Sequence, residues 1–401
     1  MSREAGAKPH VAVVSQNADL ELDIRPRAEA EALARAGYRV TLVGGTRNPE
    51  RVREITDPAV DLALYRLPSE GAGALGQISE LTKSFSLVAR TVFRLARRSP
   101  IDVVHAANPP DNLWLLGPLV RTAQGFQPRF VFDQHDVAPV LLAEKYGSGP
   151  VMRSLGWLAQ VLERASFSRA SLAVFANSEY ERRALANKLL AGQAAVVPNG
   201  WALPEAAPSP RWRGNARRLV AYVGAMGEQD CVVHLVEAIA LLEEKDVRVV
   251  LAGNGSARSA AERRAAELGI ADSFLWLGWV GRREEIASLV RSADVCVAPE
   301  TASAFNELAS FVKLVEYMSA GAPVVAHRLP QTEGLCSDTI AYADDMSAES
   351  LAHALDGVLA DGRRAELLGA TARDRFEELL RWENVGAPKL VEAYRSAFGG
   401  A

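Results

Sequence analysis

The sequence predicts an α/β protein built from two successive doubly wound, Rossmann-like halves. Short apolar runs that end in small or polar residues recur along the chain. Amphipathic segments of helical period lie between them, and the repetition is interrupted once, near the middle, by a Pro-, Ala- and Arg-rich stretch. A length of 401 residues suits two domains of about 200 residues each. His10 to Ser15 reads as a buried parallel strand, Pro26 to Ala36 as an amphipathic helix ended by Gly37, and Tyr38 to Gly44 as a second strand. The strand pattern returns at Asp102–Ala106, Arg129–Asp133, Leu172–Ala176 and Ala194–Pro198. Leu203 to Arg218 lacks periodicity and reads as a linker. A second series follows at Leu219–Gly224, Val247–Gly253, Phe274–Gly278, Val295–Pro299, Pro323–Ala326 and Ile340–Tyr342, and helix follows helix from about Ala348. The predicted organisation is residues 1–202, linker 203–218, residues 219–380 and a final segment 381–401. In such sheets ligands bind beyond the carboxyl ends of the strands, and the cleft between two such domains is the default site.

Composition bounds the function. Apolar residues at 49% and charged residues at 23% describe an ordinary soluble globular protein. A net charge of −4 gives no reason to expect nucleic acid as a partner. Cys231, Cys296 and Cys336 have no metal or redox spacing. The short polar lead runs directly into a strand, so no signal peptide is read. No run approaches the ~18 apolar residues of a spanning helix. The expectation is a cytoplasmic protein, with peripheral contact at the inner membrane face left open and the oligomeric state unread.

The stretch from Asn306 to Ala326 carries the most chemistry. It reads as a loop bearing Glu307, a helix capped by Ser310, a Gly-Ala-Pro turn and a buried strand. Capping at Ser310 would leave the N–H groups of Phe311, Val312 and Lys313 unpaired, which is an anion site. Lys313 adds positive charge, and Glu316 can accept paired hydroxyl hydrogen bonds. The competing reading of Glu307 and Glu316 is a pair of solvated helix charges. Gly253-Asn254-Gly255 and Gly224-Ala-Met-Gly227 follow strands and read equally as plain strand-to-helix turns. Neither matches the dinucleotide fingerprint or a P-loop, which argues against hydride transfer and ATP hydrolysis. His135-Asp136 lies just past a strand and His105 falls at the end of one, while Asn108 and Asp111 flank a Pro-Pro step and serve as caps or as ligands. Leu81 to Arg98 mixes apolar and basic residues; it is a membrane-interface helix or a core helix with a basic outer face. No nucleophile elbow and no metal-ligand spacing is present.

Taken together, several pieces resemble a family 4 retaining glycosyltransferase of the GT-B fold. They are Ala107 to Asp111, Val131 to Asp136, Ala176 to Tyr180, Val197 to Gly200, Tyr222 to Gly224, and Lys313 to Val325. The resemblance spans nearly the whole chain and is nearest to the bacterial branch that adds amino sugars in surface-polysaccharide assembly and to its actinobacterial natural-product relatives. It implies sugar transfer from a nucleoside diphosphate sugar with retention and without a metal at the diphosphate. It implies an N-terminal acceptor domain, a C-terminal nucleotide-sugar domain and a last helix, Trp382 to Phe398, that crosses back. By the same resemblance Glu316 holds the ribose, Glu307 contacts the donor sugar and His135 sits near the reacting sugar. Amides around Ser310–Lys313 would hold the β-phosphate, with Gly224, Gly227, Gly253 and Asn254 beside it. Trp279 and Val280 would lie by the base. Asn17, Asp23, Asn108 and Asp136 fall on the acceptor side.

The chain departs from the family in several places. Glu307 and Glu316 are nine positions apart, where eight is common. The usual Arg and Lys after the first glycine are absent from Gly224-Ala-Met-Gly227-Glu228-Gln229-Asp230-Cys231, so Lys313 is expected to supply the counter-charge. Val140 and Val233 stand where relatives carry acids. This points to a changed acceptor: a small soluble molecule of secondary metabolism, with an oxygen or sulfur nucleophile. A lipid-linked saccharide acceptor, an epimerase or phosphorylase of the same fold, and a non-catalytic donor-binding subunit are the alternatives.

Overall fold

The computed structural model describes residues 8–69, 73–146 and 149–399. It falls into two compact units, Met1–Pro198 with Gly386–Ala401, and Asn199–Val385.

The first unit is built on seven strands: β1 (His10–Asp19), β2 (Arg39–Thr46), β3 (Val60–Arg66), β4 (Val103–Ala107), β5 (Arg129–Gln134), β6 (Leu172–Phe175) and β7 (Gln193–Val196). All pair in parallel, in the order β3-β2-β1-β4-β5-β6-β7. Helices cover both faces, so the strand interiors are apolar throughout. Val11, Ala12, Val13 and Val14 are fully buried in succession, and each such valine contributes roughly 1.5–3 kcal/mol. Strand β3 was not expected. It is an edge strand reading Val-Asp-Leu-Ala-Leu-Tyr-Arg with mixed burial, and it lacks the continuous apolar signature of the interior strands.

The second unit carries six parallel strands: β8 (Arg218–Val223), β9 (Val247–Ala252), β10 (Phe274–Gly278), β11 (Val295–Ala298), β12 (Val324–His327) and β13 (Ala341–Ala343). Their order is β10-β9-β8-β11-β12-β13. Each sheet reverses direction of growth once, between β1 and β4 and between β8 and β11. These switch points are where a crevice opens at the carboxyl ends of the strands.

The final helix, Ala387–Phe398, packs in the first unit with Leu390 and Tyr394 fully buried. The helix Gly73–Arg98 also belongs to the first unit. Val88, Val92 and Ala96 are turned into its core and Arg90, Arg94, Arg97 and Arg98 are exposed. The apolar face that a membrane anchor over 81–98 would need is therefore occupied by packing. Among the described residues no helix is long and apolar enough to cross a membrane.

Candidate functional site

In the second unit three loops meet beyond β8, β9 and β10. The Gly224 N–H donates to Ala252 O, the Met226 N–H to Asn254 O, and the Gly253 N–H to Gly278 O at 2.8 Å. Gly224 (φ +152°) and Gly253 (φ +149°) adopt backbone that other residues avoid. A Cβ on Gly253 would stand 1.7 Å from the Gly224 carbonyl oxygen. These glycines are thus fixed by close backbone approach. Gly227 donates its N–H to Asp230 Oδ2 at 2.9 Å and starts a short 3-10 turn. Trp279, just past β10, is 66% exposed, and Val280 beside it is half-buried.

The helix carrying the carboxylate spans Val312–Ala320. Its N-cap is Phe311, not Ser310, and no side chain caps it. The Leu314 N–H already bonds Phe311 O at 3.1 Å. The first-turn N–H groups open to an anion are consequently those of Val312 and Lys313, one residue later than the sequence suggested. The apolar Phe311 takes the cap position because its ring lies against the Lys313 ammonium and the core behind it.

Lys313 does not present its ammonium to a ligand. It is 7% exposed, and it donates to Tyr222 Oη at 2.9 Å, Asp230 Oδ1 at 3.5 Å and Glu300 Oε1. Burial opposes its charge, but Glu300, Tyr222 and Asp230 outweigh that and hold its pKa well above the ordinary value. In this structure the ammonium is taken up by buried protein groups, so the expected counter-charge role would require it to leave them, whereas the backbone N–H of Lys313 lies in the first turn of the helix. Glu316 is buried and pairs with Arg283 Nη1 at 3.0 Å. Burial pushes its carboxyl up, against the pull of Arg283. Glu307 is exposed, one turn away on a loop whose backbone closes on Ser303 O.

In the first unit the switch point gathers a second polar cluster. Asn108, at the end of β4, is a clamp. Its Oδ1 accepts the N–H of His135 at 2.5 Å and of Asp136 at 3.1 Å, and its Nδ2 donates to Asp111 Oδ1 and Asp136 O, both at 2.8 Å. Burial pushes the Asp111 carboxyl up to about 7. His135 Nε2 pairs with Asp133, which lies two residues earlier and is fully buried. Arg25 spans Asp133 Oδ1 at 2.8 Å and Glu29 Oε1 at 3.1 Å, and donates to Val197 O at 2.8 Å. Asp23 stands at the N-cap position of the Ile24–Arg35 helix without a side-chain capping bond, and its Oδ2 accepts from Ser15 Oγ at 3.4 Å. Asn17 lies on β1, but its side chain falls outside the described ones.

Glu29, Asp133 and His135 bring ligand atoms within 4.8 Å of one another. Arg25 already ion-pairs with both carboxylates, so this donor set is balanced by a guanidinium and does not fit a metal ion. Arg25, Glu29, Arg283 and Glu300 were not singled out from sequence. Arg283 stands just beyond the carboxyl end of β10, a signal that would have served. Arg25 and Glu29 look like an ordinary surface pair on a helix.

Comparison with known proteins agrees with this division. Residues 217–361 match the family model described as glycosyl transferases group 1, and residues 24–200 the glycosyl transferase 4-like domain. The chain belongs to the GT-B glycosyltransferases. This glycosyltransferase is 28% identical over 330 residues to 2-deoxystreptamine glucosyltransferase of Streptomyces kanamyceticus, covering 78% of this chain and 81% of that one. It is 28% identical over 227 residues to a GDP-mannose-dependent phosphatidylinositol dimannoside mannosyltransferase of Mycobacterium tuberculosis, covering 54% and 55%. The chain thus spans about half the length of the first curated relatives it matches. Its fold superposes on sucrose-phosphate synthase of Thermosynechococcus elongatus with a TM-score of 0.75 at 22% identity, covering 98% and 100%.

The glycosyltransferase should also show an alkaline stability limit. Burial disfavours the His105 imidazolium, but Glu29 and Asp133 outweigh that and raise its pKa to about 9. The folded pKa exceeds the unfolded value, so the stabilisation is fully present below about 6.5 and is lost as pH rises through about 9. The shift corresponds to something on the order of 3 kcal/mol. Denaturant melts at pH 7 and pH 10 are expected to differ in the first unit. Equal midpoints would mean that His105 is neutral throughout.

Proposed function

We propose that the protein is a retaining, metal-independent glycosyltransferase moving a sugar from a UDP- or GDP-linked donor to a small soluble acceptor. The observation that carries the reading is the cradle in the second unit. Glycine loops, the amides of Val312 and Lys313, Glu316 and the exposed Trp279 all stand at the carboxyl edge of one sheet. Glu316 would take the ribose hydroxyls, with Arg283 yielding its place or bridging. The helix amides would take the β-phosphate, and Trp279 and Val280 the base. Glu307 would contact the donor sugar. In the reaction the C1–O bond to the diphosphate breaks and a bond to the acceptor oxygen or sulfur forms. The acceptor proton is lost and the diphosphate leaves with the electron pair. Stabilising that leaving charge is the main demand, and His135 would serve the sugar side. The natural-product branch is supported by the 2-deoxystreptamine relative.

A second reading, a lipid-linked acceptor, is favoured by one observation. On the Pro150–Arg169 helix Trp157, Leu158 and Val161 are exposed beside Arg153 and Arg164. That face, rather than 81–98, would meet a membrane. Flotation with anionic vesicles separates the two.

The test of the donor site is thermal melting with UDP, GDP, dTDP and ADP, each with and without magnesium. One nucleotide at a hundred times its Kd should add about 2.7 kcal/mol, roughly 5–10 °C for a unit of this size. The shift should not depend on magnesium, and Glu316→Ala should abolish it. If no nucleotide raises the melting temperature, the non-catalytic or altered-donor readings take over.

A further inference from the structure

The C-terminal helix contributes a polar group to the deepest part of the first unit. Tyr394, fully buried on Ala387–Phe398, has its hydroxyl 2.7 Å from His105 Nδ1, and the two rings stack at 5.9 Å. His105 lies inside β4, also fully buried. Its Nε2 faces Glu29 Oε2 at 3.1 Å and Asp133 Oδ2 at 3.7 Å. Asp133 Oδ2 is also the partner of His135 Nε2 and of Arg25 Nε, the latter at 3.2 Å. A continuous line of buried polar groups therefore runs from the last helix to His135. The charged groups around His135 are Asp23 at the start of the Ile24–Arg35 helix, Arg25 and Glu29 on it, His105 on β4, and Asp133 and Asp136 on β5 and just beyond it.

We propose that Tyr394 is a positioning residue for His135, acting through His105 and Asp133. This rests on the reading of His135 as a group at the reacting sugar. Asp133 is shared between the two imidazoles and one guanidinium. Whatever holds His105 in place sets how much of the Asp133 carboxylate remains for His135, and so fixes the ring's orientation and charge. Tyr394 holds it from the side opposite the carboxylates. Without the hydroxyl, the His105 ring keeps Glu29 and Asp133 on one edge and has no polar partner on the other. It can then tilt toward the carboxylates and compete with His135.

The experiment uses the full chain and Tyr394→Phe, which keeps the ring and removes one oxygen. Nitrogen-15 spectra of the histidine rings, read against pH, report His135 without any turnover. In the variant the His135 ring signals and their titration midpoint are expected to move. Nucleotide release from the UDP- or GDP-linked donor selected by melting should fall about tenfold or more in kcat, with the donor KM unchanged. Leu390→Ala, which opens a cavity one turn earlier on the same helix but keeps the Tyr394 hydroxyl, serves as the control for loose docking; it should lower the melting temperature while leaving the His135 signals in place. Unchanged His135 signals in Tyr394→Phe, or equal changes in Leu390→Ala, would overturn the proposal. Failure of the underlying reading looks different: His135→Ala would then retain full turnover, although Tyr394→Phe still moved the His135 ring signals.

Discussion

Lys313→Ala is expected to destabilise the second unit by about 3–5 kcal/mol, the cost of leaving a buried charge without its partner. Glu300 is 1% exposed, and one of its oxygens already lacks a hydrogen-bond partner among the described residues. Removing the ammonium strands this carboxylate together with Asp230, which Lys313 also contacts at 3.5 Å. At roughly 2–4 °C per kcal/mol for a unit of this size, the melting temperature should fall by roughly 6–20 °C. Lys313→Met with Glu300→Gln should recover much of the loss, because a neutral pair of similar volume carries no unpaired charge. Two outcomes separate the structural role from a ligand role. If Lys313→Ala melts like the parent but loses its nucleotide shift, the ammonium serves the diphosphate after all. If it melts far lower and the double variant still binds nucleotide, Lys313 is a strut beneath Gly224, where an added Cβ would come within 2.9 Å of its Cε.

Arg25→Met should produce an effect of similar size in the first unit. Glu29 and Asp133 are both fully buried, and Arg25 is the guanidinium between them. Truncation leaves two carboxylates in low dielectric, so a loss of about 3–5 kcal/mol is expected. The remaining counter-charges are His105 and His135, and both would be pulled toward the carboxylates. The variant should therefore lose activity beyond its loss of stability, measured at a temperature where it is fully folded. Full activity in a folded Arg25→Met protein would mean that His135 keeps its position without the guanidinium. The two units thus share one device: a buried cation bridging two carboxylates at the switch point of a parallel sheet.

Much of the fold was legible because parallel strands are continuous apolar runs. All six strands of the second half were placed within a residue or two. The weak spot was β3, whose Val-Asp-Leu-Ala-Leu-Tyr-Arg pattern belongs to an edge and not to an interior strand. The loops that follow strands were legible for the same reason, which is why Gly224, Gly253 and His135 were singled out just past strand ends. Their partners were not. Arg283 is 33 positions from Glu316, Asp230 is 83 from Lys313 and His105 is 289 from Tyr394. Nothing local announces a pairing over such distances. Arg25 and Glu29 misled in another way. A helix pair at i, i+4 ordinarily faces water, whereas here that face lies against β4 and β5 and both side chains are buried. The cap at Phe311 was missed because a serine next to a helix start is the better capper in isolation. Packing of the aromatic ring decided otherwise.

The return of Ala387–Phe398 to the first unit has a consequence for how the protein is made. Tyr394 fills a place beside His105 that was created by residues translated long before it. On the ribosome, the whole of Asn199–Val385 must be synthesised in between, roughly 10–40 s at ~5–20 residues per second. During that interval the N-terminal half lacks the helix that covers Tyr38, His105 and β7 in the folded protein. A nonsense or frameshift change that removes Ala387–Phe398 would then damage the first unit, although it falls after the second in the chain.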